Sequence, residues 1–242
     1  MIKKIRPSEL DKNYIKFHKY PVKPVSTSLS DVVVMKPWGY EYLMFKNPET
    51  EIWNLSIKYQ RSTSMHCHPN KKTALVVLSG RALFSTLNES WELLPHDAMV
   101  IDSGTFHSTQ SLSKEGLVLL EFETPPMKHD LLRLEDKYGR ARTGYEEGTY
   151  EMIKNSKHTR FLRIKNSQTK NICNNKICIM EAKNKDGILN YPQKNRTLAV
   201  ILSGIVKSKN EEPIYAPPHV LALEELQEAG HFFHDVSLML IR

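Results

Sequence analysis

The chain has 242 residues, 40% hydrophobic and 25% charged, the balance of a soluble globular protein with a core large enough for one large domain or two small ones. A formal net charge of +7 favours anionic partners such as phosphorylated sugars or nucleotides, yet the lysines are scattered and form no dense basic run, so nucleic-acid binding is not expected. Three cysteines, Cys67, Cys173 and Cys178, do not make a disulfide framework, and no apolar stretch approaches membrane-spanning length, so a cytoplasmic protein without membrane contact is expected.

The opening Met1-Ile2-Lys3-Lys4 has no apolar run behind its charges and does not read as a secretory leader. Residues 1–30 read as a polar arm, with a short helix around Glu9 to Phe17 and a Pro- and Ser-rich linker. Strands follow at Val32–Met35 and at Thr50–Tyr59, where Trp53, Leu55 and Ile57 alternate with Asn54, Ser56 and Lys58. Thr73 to Leu78 is a continuous apolar strand that ends at Gly80. Further strands occupy Arg81–Leu87, Trp91–Leu94, Ala98–Ile101 and Gly116–Glu123, separated by Gly, Asn and Ser turns. Many short strands with such turns predict an all-β barrel or sandwich. Pro125-Pro126 closes this unit at residues 31–126. Residues 127–158 read as a charged, partly helical connector, and 159–242 are strand-like again.

The two strand-rich parts share a repeat. Thr73-Ala74-Leu75-Val76-Val77-Leu78-Ser79-Gly80 matches Thr197-Leu198-Ala199-Val200-Ile201-Leu202-Ser203-Gly204 at an offset of 124 residues. A weaker echo joins Pro95-His96-Asp97-Ala98 to Pro217-Pro218-His219-Val220. The repeat predicts two copies of one unit.

Only the first copy carries a chemical constellation. In His66-Cys67-His68 the strand period places both imidazoles on one face and Cys67 on the other. A third histidine, His107, follows the turn Asp102-Ser103-Gly104. At the offset of the repeat, His66 and His68 fall on Asn190 and Pro192, and the place of His107 falls on Ala229, so the second copy has lost the imidazoles. Two imidazoles on one strand face are the start of a site for a divalent metal, and His107 is the third candidate ligand.

With its His-x-His pair before Gly80, and Asp97, Gly104 and His107 in the second motif, the first half resembles the cupin family. Lys36-Pro37-Trp38-Gly39-Tyr40-Glu41 resembles a segment of sugar-processing cupins such as the type II mannose-6-phosphate isomerase domain. The resemblance implies two double-stranded β-helix (jelly-roll) barrels, the second degenerate, with pairing into a homodimer. It also implies a metal (Zn, Fe, Mn or Ni) held by His66, His68 and His107. The family's usual motif glutamate is replaced by Thr73, which leaves the catalytic base unassigned. Lys58, Lys72 and Tyr40 are its candidates, and Lys71 and Gln110 are candidate substrate contacts. The expected function is isomerisation or epimerisation of a sugar or sugar phosphate through an enediolate. A three-His iron dioxygenase and a non-catalytic sugar- or nucleotide-binding module are the alternatives.

Overall fold

The computed structural model describes residues 1–17, 29–141, 145, 149–154, 156–162, 167–182, 185–189, 191 and 196–242. In chain order the N-terminal elements are β1 (Ile2–Ile5), α1 (Glu9–Phe17), β2 (Val32–Lys36), β3 (Gly39–Lys46), β4 (Glu51–Ile57), β5 (Met65–Cys67) and β6 (Lys72–Ser79). They continue with β7 (Ala82–Thr86), β8 (Ser90–Leu93), β9 (Ala98–Ile101), β10 (His107–Ser111), β11 (Leu117–Thr124), β12 (Leu132–Glu135) and β13 (Tyr150–Met152). The C-terminal elements are β14 (Gln168–Ile172), β15 (Asn175–Ala182), α2 (Lys185–Leu189), β16 (Leu198–Lys207), β17 (Pro213–Tyr215), β18 (Val220–Ala222), α3 (Leu223–Ala229) and β19 (Phe232–Ile241). Among the described residues no helix is long and apolar enough to cross a membrane.

The N-terminal strands form two facing sheets. The larger runs β1-β9-β6-β11-β4-β3-β2-β13 and the smaller β12-β5-β10-β7-β8. Strand alternation sends Trp53, Leu55, Leu75, Val77 and Met99 inward, where they pack with Phe84 and Leu93 of the smaller sheet. Their neighbours Ile52, Ala74, Val76, Leu78, Leu120 and Phe122 point outward and are equally buried, against Ile177, Ile179, Val200, Met239 and Ile241 of the C-terminal sheet. Strands buried on both faces read as unbroken apolar runs, which explains Thr73–Leu78.

The repeat in sequence is a repeat in register. Ala74 pairs with Val100 on one side and Phe122 on the other. Leu198, 124 residues later, pairs likewise with Ala222 and Ile241. Gly80 and Gly204 both sit at positive φ with a backbone carbonyl against the face where a Cβ would stand, so glycine is required at both turns. The second copy is degenerate in a specific way. Among the described residues it supplies one six-stranded sheet, β14-β15-β19-β16-β17 with β18 on β16. Its other face is covered by α2 and α3, which stand in the chain where β5 and β10 stand in the first copy. Asn190 and Pro192 lie outside the described residues.

The arm and the connector both join the N-terminal unit. Strand β1 pairs in parallel with β9. Helix α1, at the expected position, begins with a reciprocal cap: Ser8 N–H donates to the Asp11 carboxylate at 2.7 Å and Asp11 N–H donates to Ser8 Oγ at 3.2 Å. The connector is extended where helix was expected. Strand β12 pairs with β5 and β13 with β2, because edge strands with unpaired backbone groups were there to be covered.

Candidate metal centre

His66 and His68 lie on or beside β5, and His107 opens β10, where it pairs directly with His66. All three are buried, and their ligand nitrogens lie within 4.8 Å of one another. Each Nδ1 meets a backbone carbonyl: His66 that of Ser64 at 2.8 Å, His68 that of Asp130 at 2.6 Å and His107 that of Thr105 at 2.9 Å. A carbonyl accepts only, so each Nδ1 carries the proton and each Nε2 keeps its lone pair. The Nε2 atoms of His68 and His107 are buried without a hydrogen-bond partner. Burial pushes the imidazoles of His66 and His68 well below their usual titration range and that of His107 down to about 4, so all three are neutral at pH 7. Three neutral, oriented imidazoles, two of them with an orphaned Nε2 lone pair, fit a divalent metal of borderline softness.

Two members of the triad, His66 and His68, line a cavity. The floor is Trp38 and Leu55, and the connector supplies Leu131, Arg133, Arg140 and Tyr145 as one wall. The wall on the larger sheet is charged. Lys71 Nζ is 2.8 Å from Glu123, and Lys128 Nζ lies 3.3 Å from Glu123, 3.4 Å from Glu41 and 3.7 Å from Glu121. Lys36 is 3.5 Å from Glu41, which also accepts a 2.5 Å bond from Tyr145 Oη. Asp130 fixes the loop before β6 by accepting from the backbone N–H groups of Asn70 and Lys71.

The chain is distantly similar to several known proteins. No family model matches the chain. A mannose-1-phosphate guanylyltransferase from Klebsiella pneumoniae is 23% identical over 110 residues, which is 45% of this chain and 23% of that protein's length. KdgF from Halomonas sp. is similar in structure at 20% identity and a TM-score of 0.37, over 39% of this chain and 87% of that one. A sugar phosphate isomerase of the cupin superfamily from Silicibacter pomeroyi is similar at 11% identity and a TM-score of 0.34, over 35% and 58%. The two facing sheets of the N-terminal unit have the arrangement of a double-stranded β-helix.

The cavity gathers some of the residues singled out in the sequence and leaves others outside. His66, His68 and His107 come together, and Lys71 lines the same space. Lys72, next along the strand, points outward with its side chain 52% exposed beside Asp102. Lys58 is exposed beyond the end of β4, because the Trp53–Leu55–Ile57 face is the inner one. Tyr40 packs on the opposite face of the larger sheet with the interface core and His158. Gln110 lies in a separate groove with Ser62 and Ser108. Cys67 faces away from the triad, into a small core with Phe106 and Leu132.

The carboxylates are what sequence reading missed. Glu121 and Glu123 sit two apart in the apolar strand Leu117–Thr124, and that spacing alone puts both on one face. Burial is the largest influence on Glu41 and Glu123 and opposes their charge, but their neighbours together outweigh it, Lys128, Lys36 and Tyr145 at Glu41 and Lys128 and Lys71 at Glu123. Glu41 is held below the usual carboxylate range and Glu123 at about 2. Glu121 differs. Burial dominates there, only Lys128 pulls strongly the other way, and its carboxyl is pushed up to about 7.

Proposed function

We propose that this protein is a metal-dependent cupin enzyme that isomerises or epimerises a sugar or sugar phosphate through an enediolate. The observation that carries the reading is the cluster of three neutral histidines, each imidazole oriented by a carbonyl, at a cavity lined by His66 and His68 and by charged side chains. His66, His68 and His107 would hold the metal, which supplies Lewis-acid stabilisation of a developing oxyanion. Lys36, Lys71, Lys128, Arg133 and Arg140 outnumber Glu41, Glu121 and Glu123 among the cavity's charged side chains, and this surplus of positive charge favours an anionic substrate. Arg133 and Arg140 reach the cavity from the connector, where they would orient phosphate or carboxylate groups. Leu131, Trp38 and Leu55 shield the bound molecule from water.

Elemental analysis of the purified protein, beside a His66→Ala/His68→Ala double variant, tests the centre. Near-stoichiometric metal in the parent and its loss in the variant are expected. A parent that takes up none of Zn, Mn, Ni or Fe(II) would remove the metalloenzyme reading. The absence of a carboxylate from the triad also suits a three-His iron dioxygenase. Oxygen uptake by the Fe(II)-loaded protein in the presence of substrate would select that reaction over isomerisation. Tight sugar binding with no turnover in any metal would select a binding module.

A further inference from the structure

We infer that Glu121 is the group that takes the proton from the substrate carbon and returns it to the neighbouring carbon. The inference rests on the isomerase reading above and fills the place left open by Thr73 at the motif position. Three carboxylates line the cavity, and their surroundings separate them. Glu123 is held by two ammonium groups at 2.8 and 3.3 Å, with its side chain 1% exposed. Glu41 is held by Lys36, Lys128 and Tyr145. Glu121 has a single ionic contact, to Lys128 at 3.7 Å, no hydrogen bond among the described residues, and a side chain 9% exposed. It is the least engaged of the three and the one most open to the cavity.

The groups facing it come from its own strand, from β3, from the connector and from the loop before β6. Lys128 of the connector favours its charge, Glu123 of its own strand and Glu41 of β3 oppose it, and Lys71 of the loop before β6 favours it weakly. The resulting carboxyl changes charge near neutrality, where a group that must both accept and donate a proton works best. Glu41 and Glu123 are too acidic to hold a proton at pH 7.

The step balances without a further reactant. The Glu121 carboxylate takes the hydrogen on the carbon next to the substrate carbonyl. The C–H bond breaks, an O–H bond forms on Glu121, and the electron pair moves to the carbonyl oxygen as the enediolate. The hydroxyl proton of the neighbouring carbon passes to the former carbonyl oxygen, the protonated Glu121 delivers its proton to the former carbonyl carbon, and the electron pair left on the other oxygen closes the new carbonyl. Lys128, held protonated by the carboxylates around it, compensates the charge that returns to Glu121.

Two measurements on the metal-loaded full chain decide the matter. Infrared difference titration with side-chain ¹³C-labelled glutamate should show a carboxyl that ionises near pH 7. That signal should be missing from Glu121→Gln and from Glu121→Asp, whose aspartate is unlabelled. A parent without such a carboxyl overturns the inference. The second is proton exchange in D₂O, read by NMR at C-2 of glucose 6-phosphate and C-1 of fructose 6-phosphate. The parent should exchange, Glu121→Gln should lose about 10²–10⁴-fold in rate at unchanged metal content, and Glu121→Asp should recover part of it. Exchange undiminished in Glu121→Gln overturns the inference and leaves the isomerase reading standing. No exchange by the parent on either probe overturns both, and the titration then reports a buried carboxyl without this role.

Discussion

The two copies of the repeat use the same strands for opposite ends. In the N-terminal unit the inner face of the larger sheet ends in Thr73, Glu121 and Glu123, and the smaller sheet opposite brings the three histidines. In the C-terminal unit the register-equivalent of Glu121 is Leu240, set among Cys178, Ala199, Ile201 and Leu238. Helices α2 and α3 seal that face with Ile188, Leu223 and Leu226. The first copy spends its interior on buried charge. Among the described residues the second buries no charged side chain, and its other face covers the back of the first. Buried charges cost stability unless paired, whereas apolar burial contributes about 25 cal/mol per Å². The chain therefore couples a functional unit that is expensive to fold to a structural unit that is not.

Breaking the shared interface should have the largest effect. Val76 and Val200 are equivalent, fully buried, and face each other's sheets. Replacing either with Asp buries an unpaired charge and should cost about 4 kcal/mol or more. Both variants should lose cooperative thermal unfolding together with metal binding. A Val200→Asp protein with a normal melting temperature and full metal content would show that the second copy is not integral to the first.

Next comes the charge network that distinguishes the copies. Lys71→Met removes one of the two ammonium groups on Glu123 and should destabilise the protein by about 3 kcal/mol in denaturant unfolding, since a broken buried pair leaves an uncompensated charge. A change below about 0.5 kcal/mol would mean that Lys128 alone compensates Glu123.

The smallest effect is the pH dependence set by Glu121. Its folded pKa of about 7 lies above the ordinary carboxyl value of 4.5. Between these values the folded state keeps a proton that the unfolded state has released, so this group's contribution falls as pH rises from 4.5 to 7 and stays low above it. Glu121→Gln should therefore gain on the parent by about 1–3 kcal/mol between pH 5 and pH 8. A constant difference across that range would mean that the carboxyl ionises normally.

The sequence by itself determined the all-β class, the repeat at 124 residues and the histidine set. Each of these is local: strand alternation places His66 and His68 together, and glycine at positive φ marks equivalent turns at Gly80 and Gly204. It also placed α1 over Glu9–Phe17, whose cap is built from residues three apart. Alternation says which residues share a face, but not which face is the inside. That was decided when the second copy covered the outer face of the larger sheet. Tyr40 was thereby turned to the interface and Glu41 to the cavity, and Lys72 outward where Lys71 turned in. The partners of Glu121 come from β3, from the loop before β6 and from the connector, far apart in the chain. A carboxyl's charge depends on how many ammonium groups stand within a few ångströms of it once water is gone, and only the tertiary structure sets that number.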